Sequence, residues 1–173
     1  YALLAPDKKT FIDLVTEGQP PAPSYFVYDA ILNRKERDLL DEHEAPEALD
    51  LAAFDAKVAG GAIIVDGRDP EDFARGHLVG SINVGMNGRY AEFAGSVVPS
   101  DVDIVLIADE GFETEAKNRL ARIGFDRVVG ALANPLKVMT ENPDRVQQAS
   151  RMTAREFDDR RDDIAGLQLV DIR

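Results

Sequence analysis

Residues 63–84 read Ile-Ile-Val-Asp-Gly-Arg-Asp-Pro-Glu-Asp-Phe-Ala-Arg-Gly-His-Leu-Val-Gly-Ser-Ile-Asn-Val, and this stretch decides the fold. It opens within the apolar run of residues 62–65, which is typical of a parallel strand buried on both faces. Asp69 followed by Pro70 predicts a helix start, because the aspartate can cap the first turn and proline lacks an N–H that would be unpaired there. Residues 81–84 predict a second strand. The stretch therefore predicts the order strand, short helix, strand.

Strands and helices keep alternating on either side of this stretch. Leu51, Phe54 and Val58 share one helix face, and Gly60 follows that helix as a stop signal. Downstream, the pattern predicts a helix and loop over 89–98, a strand at 104–108, a helix over 114–123 and a strand at 127–129. Short apolar strands alternating with amphipathic helices predict an α/β fold, with a central parallel sheet flanked by helices on both faces.

Composition excludes several classes of function. The chain has 173 residues, of which 45% are hydrophobic, and it contains no cysteine. Disulfides, thiolate metal sites and cysteine nucleophiles are therefore excluded for this chain. Its 20 basic and 32 acidic residues give a net charge of −12, which repels nucleic acid and anionic membranes. No apolar run approaches the roughly 20 residues of a membrane span, and no signal peptide is recognisable, so we expect a cytoplasmic location.

The stretch closely resembles the signature of rhodanese-like domains. In that signature, a strand and Asp-x-Arg precede a short helix and the sequence Gly-His-(Ile/Leu)-x-Gly-(Ala/Ser)-x-Asn. The resemblance continues to about residue 132 and implies a rhodanese-like fold over somewhat more than half of the chain. The matching residues are Asp66, Arg68, Gly76, His77, Gly80 and Asn83.

The residue types themselves point to structural roles for this motif. Asp66 and Arg68 lie where a parallel strand ends, and we expect an ion pair or backbone caps that hold the strand-to-helix turn. We expect His77 to brace a turn through a hydrogen bond. A metal role for His77 is disfavoured, because no second histidine or cysteine lies nearby in sequence. The other histidine, His43, is expected to be a solvated residue.

The loop after the strand at 104–108 differs from that of active rhodaneses, which resembles Cys-Arg-x-Gly-x-Arg and carries sulfane sulfur on the cysteine. Alignment on Gly111 places Ala108 at the cysteine position and acidic residues at both arginine positions. A shift by one residue places Asp109 at the cysteine position. The resemblance therefore implies a vestigial active-site loop without a catalytic residue or a metal ligand, formed by Ala108, Asp109, Glu110, Gly111, Phe112 and Glu113.

The loop also has the opposite charge. Four acidic residues fall within seven positions, and together they would repel an anionic sulfur donor. Acidic residues near a helix N-terminus do complement its dipole, so the loop can favour local stability over anion binding. The four residues are Asp109, Glu110, Glu113 and Glu115.

Residues 18–26 read Gly-Gln-Pro-Pro-Ala-Pro-Ser-Tyr-Phe, and Asp-Ala-x-Leu-Asn-Arg follows at 29–34. Together with residues 123–130, they resemble the junction in bacterial fusion proteins, in which a metallo-β-lactamase-fold hydrolase precedes one or two rhodanese-like domains.

Residues 1–17 are predicted to be the end of a helical segment, and the prolines of residues 18–23 predict a stiff, extended connector after it. The resemblance implies that residues 1–45 are the end of the preceding domain plus a proline-rich linker. Residues 24–50 are interpreted as linker lying over a domain surface, with a disordered tether as the alternative. Residues 46–140 are interpreted as the rhodanese-like domain. Residues 141–173 are then a linker and the truncated start of a second repeat.

A similarity between two parts of the sequence suggests that second repeat. A helix and a strand followed by Asp66-Gly67-Arg68 are matched by a helix pattern at 153–157 and a strand followed by Asp171-Ile172-Arg173. Coincidence between two short patterns is the alternative. The implied partners are the adjacent hydrolase domain and the second repeat, and homodimer formation stays open. Zinc or iron is expected only in the hydrolase domain, and no cofactor is expected in this chain.

These observations favour a catalytically inactive rhodanese-like module. We expect it to act as a binding, scaffold or regulatory domain of a metallo-β-lactamase-family hydrolase or persulfide dioxygenase. One alternative is an enzyme whose sulfurtransferase or hydrolase activity resides in flanking domains. Another is a sensor whose vestigial pocket binds a cation or a basic segment of a partner. A third uses Asp109 or Glu110 as nucleophile or base, although a lone carboxylate lacks the partners that such chemistry needs.

Overall fold

The computed structural model describes residues 4–18, 22–23, 25–35 and 40–170. Within them, the strands are β1 (Ala48–Leu49), β2 (Ile63–Asp66), β3 (His77–Leu78), β4 (Ile82–Asn83), β5 (Ile104–Ile107), β6 (Val128–Leu132) and β7 (Val146–Gln147). The α-helices are α1 (Lys8–Thr16), α2 (Tyr25–Leu32), α3 (Leu51–Ala59), α4 (Pro70–Arg75), α5 (Tyr90–Val97), α6 (Glu113–Ala121), α7 (Pro135–Glu141) and α8 (Ala154–Arg160).

Five strands form a parallel sheet in the order β1-β6-β5-β2-β4. The central strand β5 is buried along its whole length, as its uninterrupted apolar sequence predicts. Strand β2 lies beside it and pairs with it from Ile63 to Asp66. The predicted α/β fold with a central parallel sheet and flanking helices is confirmed.

Successive residues of β5 enter different cores, because side chains alternate across a strand. Leu106 packs in the core that includes Tyr90 of α5 and Leu120 of α6. Val105 packs in the core that includes Phe54 of α3 and Met139 of α7. Helices α5 and α6 therefore cover one face of the sheet, and α3 and α7 cover the other.

Helix α4 starts as predicted, and α3 starts with the same kind of cap. The side chain of Asp69 accepts a hydrogen bond from Glu71 N at 2.8 Å, and Pro70 is the first residue of α4. Asp50 caps α3 in the same way through Ala53 N at 2.8 Å. The strands predicted at 62–65 and 104–108 agree with β2 and β5 to within one residue at each end.

Several elements were not predicted. Helix α2 forms inside the segment that was interpreted as linker, and its Tyr25 is buried with only 7% of its surface exposed. Strands β1 and β3 contain two residues each, too few for a periodic pattern. Helix α7 follows Asn134, which takes the left-handed conformation with φ of 51°.

The segment after α7 returns to the domain. Strand β7 pairs antiparallel with β3, and Ala149 N donates to Ala74 O at 2.9 Å. Arg145 forms two hydrogen bonds to the carboxylate of Asp55 on α3, at 2.8 and 2.6 Å. Residues 145–149 therefore contact the domain that the sequence analysis places at 46–140.

Helices also form near the two ends of the chain, where the end of a preceding domain and the start of a second repeat were predicted. Helix α1 lies within the helix expected for residues 1–17, and Phe11 and Ile12 are 41% and 44% exposed. Helix α8 matches the predicted helix at 153–157 and starts with a capping box of Thr153 and Glu156. Residues 167–170 form no strand. The second Asp-x-Arg at 171–173 lies outside the described residues, and so do positions 19–21 of the connector. Across the described part of the chain, no helix has the length and apolarity to cross a membrane.

Candidate functional site

A cavity of about 460 Å³ lies at the carboxyl end of β5. The carboxyl edge of a parallel sheet is the usual position of ligand sites in open α/β folds. Its lining combines three carboxylates with small apolar side chains from three different strand ends and the start of α7. The carboxylates are those of Asp109, Glu110 and Glu113, and the alanines are Ala48, Ala108 and Ala133.

Ala108 lies directly after β5, and 2% of its surface is exposed. This is the position that the alignment on Gly111 assigns to the cysteine of active rhodaneses. A methyl group offers no nucleophile, no proton and no ligand atom. The other lining residues supply carboxylates, the amide of Asn134 and the ammonium of Lys137, but no thiol, hydroxyl or imidazole.

The loop holds its own carboxylate against its backbone. Gly111 N donates to Oε2 of Glu113 at 2.9 Å, and Phe112 N donates to Asp109 O at 3.0 Å. Gly111 has φ of +89°, a conformation that residues with a Cβ rarely adopt. The amide of Gly111, which could help to hold a bound anion, is therefore already bonded to the carboxylate of Glu113. Glu113 is also the first residue of α6, at the positive end of the helix dipole.

A second cavity of about 540 Å³ adjoins the first, because Asp109 and Leu136 line both. Arg68 and Gly76 of the signature motif also line this second cavity. The structure thus brings part of the motif and the loop together along one surface, although they lie about forty positions apart in sequence.

Asp66 and Arg68 form a buried ion pair at the end of β2, with 0% and 2% of their surfaces exposed. Arg68 Nε lies 3.0 Å from Oδ1 of Asp66, and its Nη2 lies 2.6 Å from Oδ2. The same Nη2 donates to Gly76 O at 3.0 Å, beyond α4. Asn83 Nδ2 donates to the carbonyls of Asp66 and Arg68, at 3.0 and 3.1 Å. The four residues form one network that connects β2, α4 and β4.

His77 lies in β3 with 8% of its surface exposed. Its Nδ1 lies 2.9 Å from Phe73 O, and its ring stacks on that of Phe73 with centroids 3.8 Å apart. Gly80 lies in the turn between β3 and β4, and His43 is exposed. Over residues 4–18, 22–23, 25–35 and 40–170, no three His, Asp or Glu side chains are grouped so that they could hold a metal ion.

Tyr90 of α5 and Arg119 of α6 contact each other on one face of the sheet but were not identified from the sequence. Tyr90 is fully buried, and its hydroxyl has no hydrogen-bond partner among the described residues. The guanidinium of Arg119 lies 5.1 Å from the centre of the Tyr90 ring and donates to the carbonyls of Met86 and Gly88. Burial raises the pKa of the Tyr90 hydroxyl well above its usual range. Nothing in the sequence signals this pair, because 28 residues separate its members.

Replacing Tyr90 with phenylalanine is expected to leave stability near pH 7 unchanged or to raise it by up to about 1 kcal/mol, because the change removes a buried polar atom without a partner. A raised pKa in the folded state favours the neutral phenol, so its contribution is complete below the unfolded pKa of about 10 and is lost as the pH rises above it. Tyr90→Phe should therefore resist alkaline unfolding better than the wild type.

Urea unfolding between pH 7 and 11 measures this effect, with the partly buried Tyr28→Phe as control. A loss of more than about 1 kcal/mol at pH 7 would contradict the prediction, since it would indicate a bonded hydroxyl.

The chain is similar in fold to several solved structures. The chain is similar to a metallo-beta-lactamase from Staphylococcus aureus subsp. aureus COL, with a TM-score of 0.60 and 25% identity over 73% of this chain. It covers 35% of that chain, about a third of its length. No curated protein matches the sequence.

Two further solved structures show the fold alone. The Alr3790 protein from Anabaena sp. is 19% identical with a TM-score of 0.51, and the match covers 64% of this chain and 99% of that one. The BH2092 protein from Bacillus halodurans is 18% identical with a TM-score of 0.50, and the match covers 81% of this chain and 98% of that one.

The family model described as Rhodanese-like domain matches residues 46–137, which is more than half of the 173 residues. The matched region contains the parallel sheet, the Asp66–Arg68 network and the loop that starts at Ala108. The chain therefore belongs to the rhodanese-like domain family.

Proposed function

We propose that this chain is a rhodanese-like module without sulfurtransferase activity, which serves as a binding or scaffold domain for an adjacent metallo-β-lactamase-like domain in the cytoplasm. The observation that carries the proposal is the absence of cysteine from all 173 residues. Alignment on Gly111 assigns Ala108 to the position of the sulfur carrier, and a shift by one residue assigns Asp109, so neither alignment supplies a thiol. Sulfur transfer through a persulfide needs a thiolate that forms a bond to the transferred sulfur, and no residue of this chain can supply it.

The surroundings of Ala108 support the same conclusion. An anionic donor such as thiosulfate would approach Asp109, Glu110 and Glu113, whose carboxylates repel it. The amide of Gly111 is bonded to Glu113, so it adds little attraction. A cysteine at position 108 would therefore be only one of the features that sulfur transfer needs.

The binding half of the proposal rests on exposed apolar side chains and on the comparison with the Staphylococcus structure. Phe26 and Val27 of α2 are 51% and 68% exposed, and Phe93 and Val97 of α5 are each 54% exposed. Contiguous exposed apolar surface is typical of interaction sites, and α2 and α5 contact each other at Tyr25 and Gly95. The Staphylococcus protein is named a metallo-beta-lactamase and is much longer than this chain, which supports a hydrolase domain as the neighbour. Zinc or iron would then belong to that domain, and a second rhodanese-like repeat would be a further neighbour.

The wild-type protein is expected to form no thiocyanate from thiosulfate and cyanide. Ala108→Cys alone should remain nearly inactive, because the carboxylates of Asp109 and Glu113 still repel the donor. The triple variant Ala108→Cys, Asp109→Arg, Glu113→Arg restores both the thiol and the positive charge of the family loop, and it should form thiocyanate faster than Ala108→Cys. Colorimetric measurement of thiocyanate follows all three proteins, with Ala133→Cys as a control that places a thiol elsewhere in the cavity.

Clear turnover by the wild-type protein would overturn the proposal. Its binding half is examined by titrating the chain with a metallo-β-lactamase-like domain in a calorimeter. Binding that weakens in Val27→Ser, but not in a variant of an exposed polar residue such as Lys57→Ser, is expected. Equal binding by both variants would exclude the α2 face as the interface.

A further inference from the structure

Helix α2 packs on α5 and on the end of α6 at two glycines. A Cβ atom at Gly95 would lie 2.3 Å from Cδ1 of Tyr25, and one at Gly124 would lie 2.7 Å from Cδ1 of Leu32. Both distances are shorter than real Cβ atoms show, so a side chain at either position would require the ring of Tyr25 or the side chain of Leu32 to move. The side chains of Tyr25 and Leu32 lie seven positions apart, two turns along one face of α2.

Residues 40–47 continue along α6 and are bonded to it through their backbone. Lys117 Nζ donates to Asp41 O at 3.2 Å and to Glu44 O at 2.5 Å. Asn118 Nδ2 donates to Glu42 O at 2.7 Å. Lys117 is only 9% exposed, so these carbonyls replace much of the water that its ammonium would otherwise bind.

We use the name strap for residues 25–35 and 40–47. The strap leads directly into β1, where Glu47 O and Leu49 O accept hydrogen bonds from Ala131 N and Ala133 N, each at 2.8 Å. Ala48 and Ala133 line the cavity of the candidate site together with the loop. The strap therefore reaches the site by two routes, one along β1 and one through α6.

We infer that the strap is a conformational device that fixes α6 and, through α6, the loop at 108–113 that lines the candidate site. Helix α6 begins at Glu113, the last residue of the loop, and Lys117 lies one turn further along. The other side of α6 is held on the sheet by Ala116 and Leu120, which are buried. Release of the strap should therefore loosen the first turn of α6 and the loop without unfolding the helix.

The inference gives the strap a regulatory meaning that rests on the proposed function. Most of the strap precedes the region that the family model matches, and it lies between α1 and that region. A force or a binding event acting on the N-terminal side of the domain would reach the candidate site through Lys117 and Asn118. The coupling itself concerns only this chain and is measurable without any partner.

The test uses Lys117→Met in the full chain, because methionine keeps an unbranched apolar stem and removes the ammonium. Amide hydrogen exchange is followed at Glu44 N, which donates to Asp41 O within the strap, and at Gly111 N and Phe112 N within the loop. We expect exchange at all three amides to accelerate by at least about tenfold. Leu106 N in the central strand should keep its protection. Lys57→Met on the exposed side of α3 makes the same chemical change elsewhere and should alter none of them.

Faster exchange at Glu44 with unchanged exchange at Gly111 and Phe112 would overturn the inference, and so would unchanged exchange at all three. If Lys117→Met does not fold, Asn118→Ala replaces it, since it removes only the bond to Glu42 O, and the same pattern is expected with a smaller factor. Unchanged loop exchange in Asn118→Ala would again overturn the inference. This experiment does not measure thiocyanate formation. Absence of the coupling would therefore not contradict the proposed function, and sulfurtransferase activity of the wild-type protein would not contradict the coupling.

Discussion

Replacing Arg68 with methionine is expected to destabilise the domain by about 3–5 kcal/mol, the cost of removing one partner of a buried ion pair. The guanidinium supplies three hydrogen bonds to the carboxylate of Asp66 and one to Gly76 O. Asp66 is completely buried, so without Arg68 its charge would be left with neither water nor a counter-ion. Methionine fills part of the space, but its side chain can donate to neither acceptor, and the bond from the backbone N–H of residue 68 to Asp66 Oδ1 remains.

Urea unfolding measures this loss, and Arg75→Met is the matched control. Arg75 also pairs with carboxylates, those of Glu71 and Asp72, but its side chain is 70% exposed. The control should cost about 0–1 kcal/mol, because exposed ion pairs contribute little. The double variant Asp66→Asn, Arg68→Met should be more stable than Arg68→Met alone, because no buried charge remains. Equal losses for Arg68→Met and Arg75→Met would show that burial of the pair is not what makes it costly to break.

Replacing Gly95 with alanine is expected to destabilise the protein by about 1–3 kcal/mol, the usual cost of overpacking a core. Gly95 lies inside α5, where alanine by itself would stabilise the helix by about 1 kcal/mol. The expected loss therefore has the opposite sign to helix propensity. Its cause is the ring of Tyr25, three atoms of which would lie within 2.9 Å of the new methyl group. Either the ring moves or α2 leaves its place on α5.

A double-mutant cycle separates these two effects. In the background of Tyr25→Ala, the ring is absent, and Gly95→Ala should become neutral or stabilising as propensity predicts. Ser96→Ala, at an exposed position of the same helix, controls for composition and should change the free energy of unfolding by less than about 0.5 kcal/mol. A Gly95→Ala loss that persists without the Tyr25 ring would mean that the contact with α2 is not its cause.

The two large predictions concern residues that sequence reasoning treated very differently. Asp66 and Arg68 were selected as a pair from the Asp-x-Arg motif, and an ion pair at the strand end was expected. The two hydrogen bonds from Asn83 and the bond to Gly76 O were not, because they join residues that lie 8 to 17 positions apart. Gly95 carried no signal at all, since a glycine in a helix acquires its meaning only from the ring that packs on it.

The candidate site divides in the same way. The identity of Ala108 and the acidic residues of the loop are facts of the sequence. The resemblance, aligned on Gly111, implies that Ala108 takes the sulfur-carrying position and that Asp109 and Glu113 take the two arginine positions. Two other features depend on how the loop folds against α7 and β1. Gly111 N donates a hydrogen bond to Glu113, and Asp109 lines both cavities. The contact between Tyr90 and Arg119 could not be predicted from the sequence, because it joins two different helices, α5 and α6.

The sequence by itself determined the α/β class, the positions of β2 and β5, the capped start of α4 and the lack of a thiol. These features depend on local signals: continuous apolar runs, capping residues and composition. Only the tertiary structure decided that α2 belongs to the domain, that β7 returns to pair with β3, and that the strap contacts α6. Two-residue strands and a helix with one buried residue have too little intrinsic preference to form alone, and they are stabilised by partners far away in the chain.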